Sequence, residues 1–232
     1  MYFILIISFK VKSQVSIGFE TIYCNNTLSE NKIDLPYTLF KPGNSIGFGI
    51  PISIKIKSAF SLNSGLYYIP KNYMFKRIGT YAGVFFEFKN SYLKIPIMSS
   101  FSFAYRKINI ICNGGIYGAY WIFSKSSGKI PNLLNNIDSV SPDGRIRNYV
   151  NLESFNEKYS FKKNKDNRYE WGASIGIKLS YKVNKNEKIY CSTIYDYSFS
   201  DQQKKYMINQ SARLNRTILF SIGYEKNVFN AQ

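Results

Sequence analysis

Histidine is absent from this 232-residue chain, and acidic residues are scarce. The 14 Asp and Glu residues are outnumbered by 31 Lys and Arg residues, which gives a formal net charge of +17. Histidine is the commonest general base and metal ligand near neutral pH, so its absence excludes Ser-His-Asp triads and histidine-containing zinc sites. The composition therefore argues against an ordinary hydrolase, and the sequence predicts no enzyme, no catalytic residue, no cofactor and no bound metal.

Cysteine is also rare, because the chain has three, Cys24, Cys112 and Cys191, at wide spacings. No Cys-x-x-Cys pair exists, which excludes a zinc ribbon and a dithiol redox motif. We expect three unpaired cysteines that pack as small hydrophobic side chains. Aromatic residues, by contrast, are abundant: 20 Tyr and 18 Phe help to raise the aromatic fraction to 17%. Such a composition is typical of a folded chain.

Long apolar runs are missing as well. The apolar run at residues 2–9 is far shorter than the ~20 residues that a membrane-spanning helix needs. Val11 and Ser13 are small residues at the two positions that a signal peptidase recognises, so residues 1–13 are predicted to be a secretory signal peptide. No basic residue precedes the run, which a truncated start would explain, and a buried N-terminal strand is the alternative. Residues 14–232 are then expected to form a single domain.

Alternation with period two, the mark of a β-strand, recurs along the chain where helical periodicity does not. Between residues 45 and 57, apolar residues occupy every even position from Ile46 to Ile56, and Gly, Ser, Pro and Lys occupy the odd positions. Eight segments alternate in this way, some less regularly than others, and they cover residues 15–23, 45–57, 59–68, 93–101, 108–122, 170–182, 188–199 and 217–225. The sequence therefore predicts eight strands.

The predicted strands have the length and the connections of a small membrane barrel. Roughly ten residues per strand suffice to cross a bilayer at a tilt. Short connections follow the second, fourth and sixth strands, while residues 24–44, 71–90 and 124–167 form longer, polar and partly extended connections. The predicted fold class is all-β: an eight-stranded antiparallel up-and-down transmembrane β-barrel with short periplasmic turns and long extracellular loops. Its expected location is the outer membrane of a Gram-negative bacterium.

A soluble β-sandwich or a lipocalin-like barrel would also alternate. Such a protein keeps its apolar face inside and presents a charged surface to water. Here the face opposite the apolar one carries mainly Gly, Ser, Asn and single charges, which would make a poor exterior. A small polar interior with lipid outside fits the pattern better.

Five segments resemble a known family. They are LNSGLYY (62–68), YLKIPI (92–97), NGGIYGAYWIF (113–123), WGASIGIKLSY (171–181) and NRTILFSIGYEK (215–226). In this order they resemble the PorT-like outer-membrane β-barrel family, and YLKIP is the most specific of them. The resemblance implies a signal peptide and a single barrel, and for some relatives a place in the type IX secretion apparatus. The high basic charge, the long 124–167 segment and the tail after residue 226 depart from the family.

Charged residues on the inner face of the predicted barrel are the first site candidates. A barrel of eight strands is just wide enough to be filled by side chains, so we expect these charges to pair with one another and predict no open pore. A transport pathway is the alternative. Strand parity assigns seven charges to this network: Glu20, Lys55, Lys94, Glu170, Lys178, Asp196 and Glu225.

Basic residues of the long connections are the second candidates. On an outer membrane they would meet lipopolysaccharide, whose phosphates attract Lys and Arg, and the candidate contacts are Arg168, Arg213 and Arg216. A generally Lys-rich proteome explains the excess of basic residues equally well.

Residues 76–88 come near an RNA-recognition signature, but Gly83 stands where that signature has an aromatic residue. Because basic residues are also spread over the whole chain, we expect no nucleic acid partner.

Aromatic residues at the predicted strand ends are typical of interfacial girdles, and the candidates are Tyr23, Tyr68, Tyr120, Trp171, Tyr181 and Tyr224.

Three functions remain open. The first is a structural or interaction component of the cell envelope, in contact with lipid, lipopolysaccharide and other envelope proteins, or an accessory subunit of a type IX-like secretion complex or another envelope complex. The second is a narrow channel for small solutes. The third is a soluble basic β-protein that binds nucleic acid.

Overall fold

A computed structural model describes residues 14–29, 37–57, 59–79, 82–132, 137–140, 146–149, 151–205 and 210–230. The predicted signal peptide, residues 1–13, lies outside these ranges. Among the described residues there is no helix that is long and apolar enough to cross a membrane. The described strands are β1 (Gln14–Ser29), β2 (Thr38–Lys55), β3 (Phe60–Pro70), β4 (Tyr73–Arg77), β5 (Phe85–Tyr105), β6 (Ile108–Pro131), β7 (Ile137–Val140), β8 (Ile146–Tyr149), β9 (Leu152–Lys158), β10 (Tyr169–Lys182), β11 (Glu187–Ser198) and β12 (Leu214–Asn230).

Eight of these strands close into a barrel. In the order β1, β2, β3, β5, β6, β10, β11 and β12, each strand is antiparallel to its neighbours. The ring is completed by β1 and β12, which pair from Gln14 with Asn230 to Ser29 with Leu214. The predicted fold class is therefore confirmed as an eight-stranded antiparallel up-and-down barrel.

The outward side chains form an apolar belt. On β2, Ile46, Phe48, Ile50, Ile52 and Ile54 point outward and are 37% to 61% exposed. The outward positions of the other barrel strands carry the same kinds of residue. A belt this large is unfavourable in water. A closed barrel also satisfies its backbone hydrogen bonds between strands, which is what a structure within the hydrocarbon of a bilayer requires.

The two ends of the barrel differ. Residues 56–59, 106–107 and 183–186 connect strands at one end, where the first and last barrel strands also begin and finish. We call this the short-turn end. Residues 30–37, 71–84, 132–168 and 199–213 connect strands at the opposite, long-loop end. The strands β4 and β9 extend the barrel wall there by pairing with β2, β5 and β6, and β7 pairs with β8 in a separate hairpin.

Three connections predicted from the sequence are too long. Much of 24–44 is strand, because β1 continues to Ser29 and β2 begins at Thr38. Residues 71–90 contain β4 and the beginning of β5, and residues 124–167 contain the end of β6 together with β7, β8 and β9. The extra length is polar: the side-chain amide of Asn25 donates to Oδ1 of Asn44 across β1 and β2 at 2.7 Å. Above the apolar belt, sheet pairing continues without the alternation that lipid imposes.

Candidate functional site

Side chains fill the lumen of the barrel. Ile22, Cys24, Tyr67, Ile69 and Leu219 form an inward-facing cluster, and each is at most 8% exposed. Two cavities beside this cluster measure about 20 and 10 Å³, and a cavity of this size holds about one water molecule. The inward-facing residues Asn26, Asp196 and Thr217 are 0% exposed, so outside water does not reach them. The lumen is therefore closed at this level.

Lys94 and Asp196, both assigned to the lumen by parity, form a buried ion pair. The Lys94 Nζ atom lies 2.7 and 2.5 Å from the two Asp196 carboxylate oxygens, and Ser174 donates to Asp196 Oδ1 at 2.6 Å. The Tyr117 ring centroid lies 4.7 Å from Nζ. These partners offset the cost of removing both charges from water.

Glu170 pairs with a lysine that sequence analysis missed. Lys71, which is 0% exposed, donates to Glu170 Oε1, as does the Tyr117 hydroxyl at 2.7 Å. The side-chain amide of Asn215 donates to the other carboxylate oxygen at 2.6 Å. Lys71 lies in the break between β3 and β4 and was assigned to a long connection, because parity is undefined outside a strand.

Lys178 and Glu225 form a third buried ion pair. Beside it, Glu20 accepts hydrogen bonds from the hydroxyl of Tyr190 at 2.5 Å and from that of Ser221 at 3.2 Å. The expectation that all seven lumen charges pair with one another is wrong. Among the described residues Glu20 forms no ion pair, because hydroxyl groups satisfy it, and exposed Lys55 forms none, because it lies at the short-turn end in contact with water.

Glycines on neighbouring strands leave room for the large tyrosine rings that close the lumen. Gly223 is paired with Tyr190 across β12 and β11, and a Cβ atom there would lie 2.5 Å from Cζ of Tyr190. Gly172 is paired in the same way with Tyr117, where a Cβ atom would lie 2.8 Å from Cε1. Both tyrosines donate to lumen carboxylates, so the glycine opposite each ring helps to position a hydrogen-bond donor.

The six candidate girdle residues lie on the outer side of the barrel, at several heights. Tyr181 is the penultimate residue of β10, beside the short connection at 183–186, and Tyr224 is paired with Ile189 just beyond that connection. Tyr68 and Trp171 lie within two residues of the strand ends at the long-loop end. Tyr120 is paired with Tyr169 close to that end, and Tyr23 lies further into the belt, opposite Ile46 and Phe220.

The structure does not bring the three candidate arginines together. Arg216 points outward, with its guanidinium carbon 5.3 Å from the ring centroid of Tyr197. Arg168 lies between the rings of Tyr120 and Phe161, at 4.5 and 4.4 Å, and donates to the carbonyl oxygen of Trp121. Arg213 lines a cavity inside the mouth of the barrel.

Aromatic side chains line the inner face of the barrel at its long-loop end. On β5 the inward positions continue beyond Tyr92 to Phe88 and Phe86, so the segment considered for RNA recognition contributes to this surface. We call the whole surface the aromatic cup, and its members are Tyr73, Phe75, Phe86, Phe88, Tyr92, Trp121, Phe155, Tyr159 and Phe161. Neighbouring rings lie 4.9 to 6.2 Å apart. Alternating Phe86 and Phe88 were the sequence signal for it.

An open cavity of about 290 Å³ lies at the base of the aromatic cup. Four aromatic residues line it: Tyr73, Phe88, Trp121 and Tyr159. The rest of the lining is polar and includes three basic residues; it consists of Ser124, Lys162, Lys165, Asp166, Gln202, Gln203 and Arg213. No group of three or more potential metal ligands occurs in the described part of the chain.

No protein-family model and no curated protein matches the chain. The crystal structure of the outer membrane protein OprG from Pseudomonas aeruginosa matches with a TM-score of 0.51 and 9% identity over 95% of this chain and 97% of OprG. Two further structures are more distant. Outer membrane protein AlkL matches with a TM-score of 0.45 and 11% identity over 96% of this chain and 92% of AlkL. The outer membrane protease OmpT from Escherichia coli matches with a TM-score of 0.39 and 11% identity over 93% of this chain and 95% of OmpT. The chain thus has the fold of an outer-membrane β-barrel, with which the predicted location agrees.

Proposed function

We propose that this chain is an integral outer-membrane barrel that acts as a structural or interaction component of the cell envelope and conducts no solute. The observation that supports this proposal is the closed lumen. Three buried ion pairs and an apolar cluster occupy the space that a channel would leave to water. The surface available for interaction is then the long-loop end, where the wall extends beyond the apolar belt.

The resemblance to the PorT-like family extends the proposal to a role as an accessory subunit of a secretion complex or another envelope complex. At the long-loop end, β9 pairs with β6 and β4 joins β2 to β5, which gives a firm platform above the membrane. Sheets of this kind suit contact with another envelope protein better than single loops do, because less conformational entropy is lost on binding.

Lipopolysaccharide is the proposed lipid partner on the outer side. Arg216 points outward near the long-loop end, beside the ring of Tyr197. A guanidinium in this position binds a phosphate group well, because its donors form paired hydrogen bonds. We propose no enzymatic activity, since the chain has no histidine and its buried carboxylates are engaged in ion pairs or hydrogen bonds.

Two measurements on one detergent-extracted sample test the proposal. A closed barrel is expected to change its gel mobility on boiling, and the protein is expected to fractionate with the outer membrane. Reconstituted into planar bilayers, it is expected to give no stepwise conductance. Discrete conductance steps would support the channel instead. Solubility without detergent, with no mobility shift, would contradict the membrane proposal. It would support the alternative of a soluble basic β-protein that binds nucleic acid.

A further inference from the structure

The cavity in the aromatic cup has the composition of a ligand site. The aromatic part of its lining belongs to a set of stacked rings: Tyr92 lies parallel to Trp121 at 5.8 Å, and Trp121 lies parallel to Tyr159 at 6.2 Å. Tyr73 stacks on Phe88 at 5.0 Å. Flat rings held in this way lose little freedom when a second flat or ring-shaped molecule packs against them.

Basic side chains outnumber acidic ones in the cavity lining. Lys162, Lys165 and Arg213 line the cavity together with one carboxylate, that of Asp166. This carboxylate is held within the protein, because the Tyr159 hydroxyl donates to Oδ1 at 2.8 Å and the backbone N–H of Lys162 donates to Oδ2 at 2.6 Å. The cavity therefore favours a negatively charged ligand.

Neutral hydrogen-bonding groups complete the cavity. Gln202, which is 5% exposed, donates to the Tyr92 hydroxyl at 2.9 Å and is thereby fixed against the aromatic cup. Gln203 and Ser124 also line the cavity. A volume of about 290 Å³ lies at the lower limit of small-molecule sites, so one or two sugar rings fit and a protein segment does not.

We propose that the aromatic cup binds an acidic sugar, with the C–H face of the sugar ring on the aromatic residues and its carboxylate or phosphate at the basic part of the lining, on Lys162 in particular. The inference rests on the proposed function, because the cup faces the outside only if the long-loop end is extracellular. The sugar has two sources, the carbohydrate of lipopolysaccharide or an acidic polysaccharide outside the cell.

Trp121 supplies a direct readout of binding. The chain has two tryptophans, and Trp171 lies on the outer surface, 59% exposed. In a Trp171→Phe background, fluorescence therefore reports on the cavity alone. Glucuronate and glucose 6-phosphate are expected to give a saturable change, and glucose is expected to bind at least about tenfold more weakly, because it lacks the charge.

A matched pair of lysine variants tests the basic part of the lining. Lys162→Ala is expected to weaken glucuronate binding about tenfold, the loss expected for one charge-assisted hydrogen bond. Lys163→Ala is the control, because Lys163 is the next residue, is exposed and lies outside the cavity lining. Equal effects of the two variants, or equal binding of glucose and glucuronate, would overturn the inference.

Competition identifies the source of the sugar. Deacylated lipopolysaccharide or polygalacturonate is expected to displace glucuronate, and the stronger competitor names the source; displacement by neither overturns the inference. The gel-mobility shift is measured on the same sample. A sample that shifts on boiling but shows no saturable fluorescence change refutes the sugar site alone, whereas a missing shift refutes the proposed barrel function itself.

Discussion

Charged residues inside the barrel show how a single side chain contributes to its closure. Lys94 and Asp196 are 2% and 0% exposed, and each is the main partner of the other. Lys94→Ala leaves the Asp196 carboxylate buried without its cation, and we expect a loss of about 3 to 5 kcal/mol of unfolding free energy. Urea unfolding in detergent micelles measures this loss of unfolding free energy. The double variant Lys94→Met/Asp196→Leu should lose much less, and an equal loss would contradict this account.

The hydroxyl of Tyr190 is the principal donor to Glu20, which no cation pairs with among the described residues. We expect Tyr190→Phe to destabilise the barrel by about 1 to 3 kcal/mol, because a buried acceptor loses its donor. Tyr195→Phe is the control, since Tyr195 lies on the same strand but points outward. If both variants unfold at the same urea concentration, the Tyr190–Glu20 hydrogen bond has no net effect on stability.

Strand parity could place individual charges only where strands were recognised. It put Lys94 and Asp196 on the inner face, where the structure has them paired. It could not place Lys71, which lies between strands, or Arg213, which precedes β12 and faces the cavity at the mouth. Such positions depend on how a connection folds back over the barrel, and this is a tertiary property that no local pattern records.

At the scale of the strand, the sequence predicted the part of each element that lies in the apolar belt. The seventh strand was expected at residues 188–199 and is Glu187–Ser198. The fifth was expected at 108–122, but β6 continues to Pro131. Residues 124–131 remain paired with β5 and β9, but they are mainly polar or glycine themselves, so the alternation ends before the strand does.

Glycines within the strands allow a test of close packing. Gly223→Ala places a methyl group against the ring of Tyr190, and we expect a loss of about 1 to 3 kcal/mol in urea unfolding. Gly118→Ala is the control, because a Cβ atom at Gly118 meets nothing within 4 Å. Alanine is also the better strand former, so this control should be neutral or slightly stabilising. A Gly223 variant as stable as the control would refute the packing argument.

For the whole molecule, the three cysteines report whether the belt lies in lipid. Cys112 and Cys191 point outward within the belt, and Cys24 is buried in the lumen. In lipid vesicles we expect a charged, water-soluble maleimide to label none of them and an apolar maleimide to label Cys112 and Cys191. All three should react after denaturation. Labelling of Cys112 and Cys191 by the charged reagent in vesicles would show that the belt faces water.

The pairing of β1 with β12 has a consequence for the order in which the protein is made. This seam joins Gln14 to Asn230, so the two strands that complete the cylinder are separated by almost the whole length of the chain. Until β12 has been synthesised, any partial cylinder has two open edges, whose unpaired N–H and C=O groups hydrocarbon cannot accept. Entry into lipid must therefore follow translation, and truncation before β12 abolishes it.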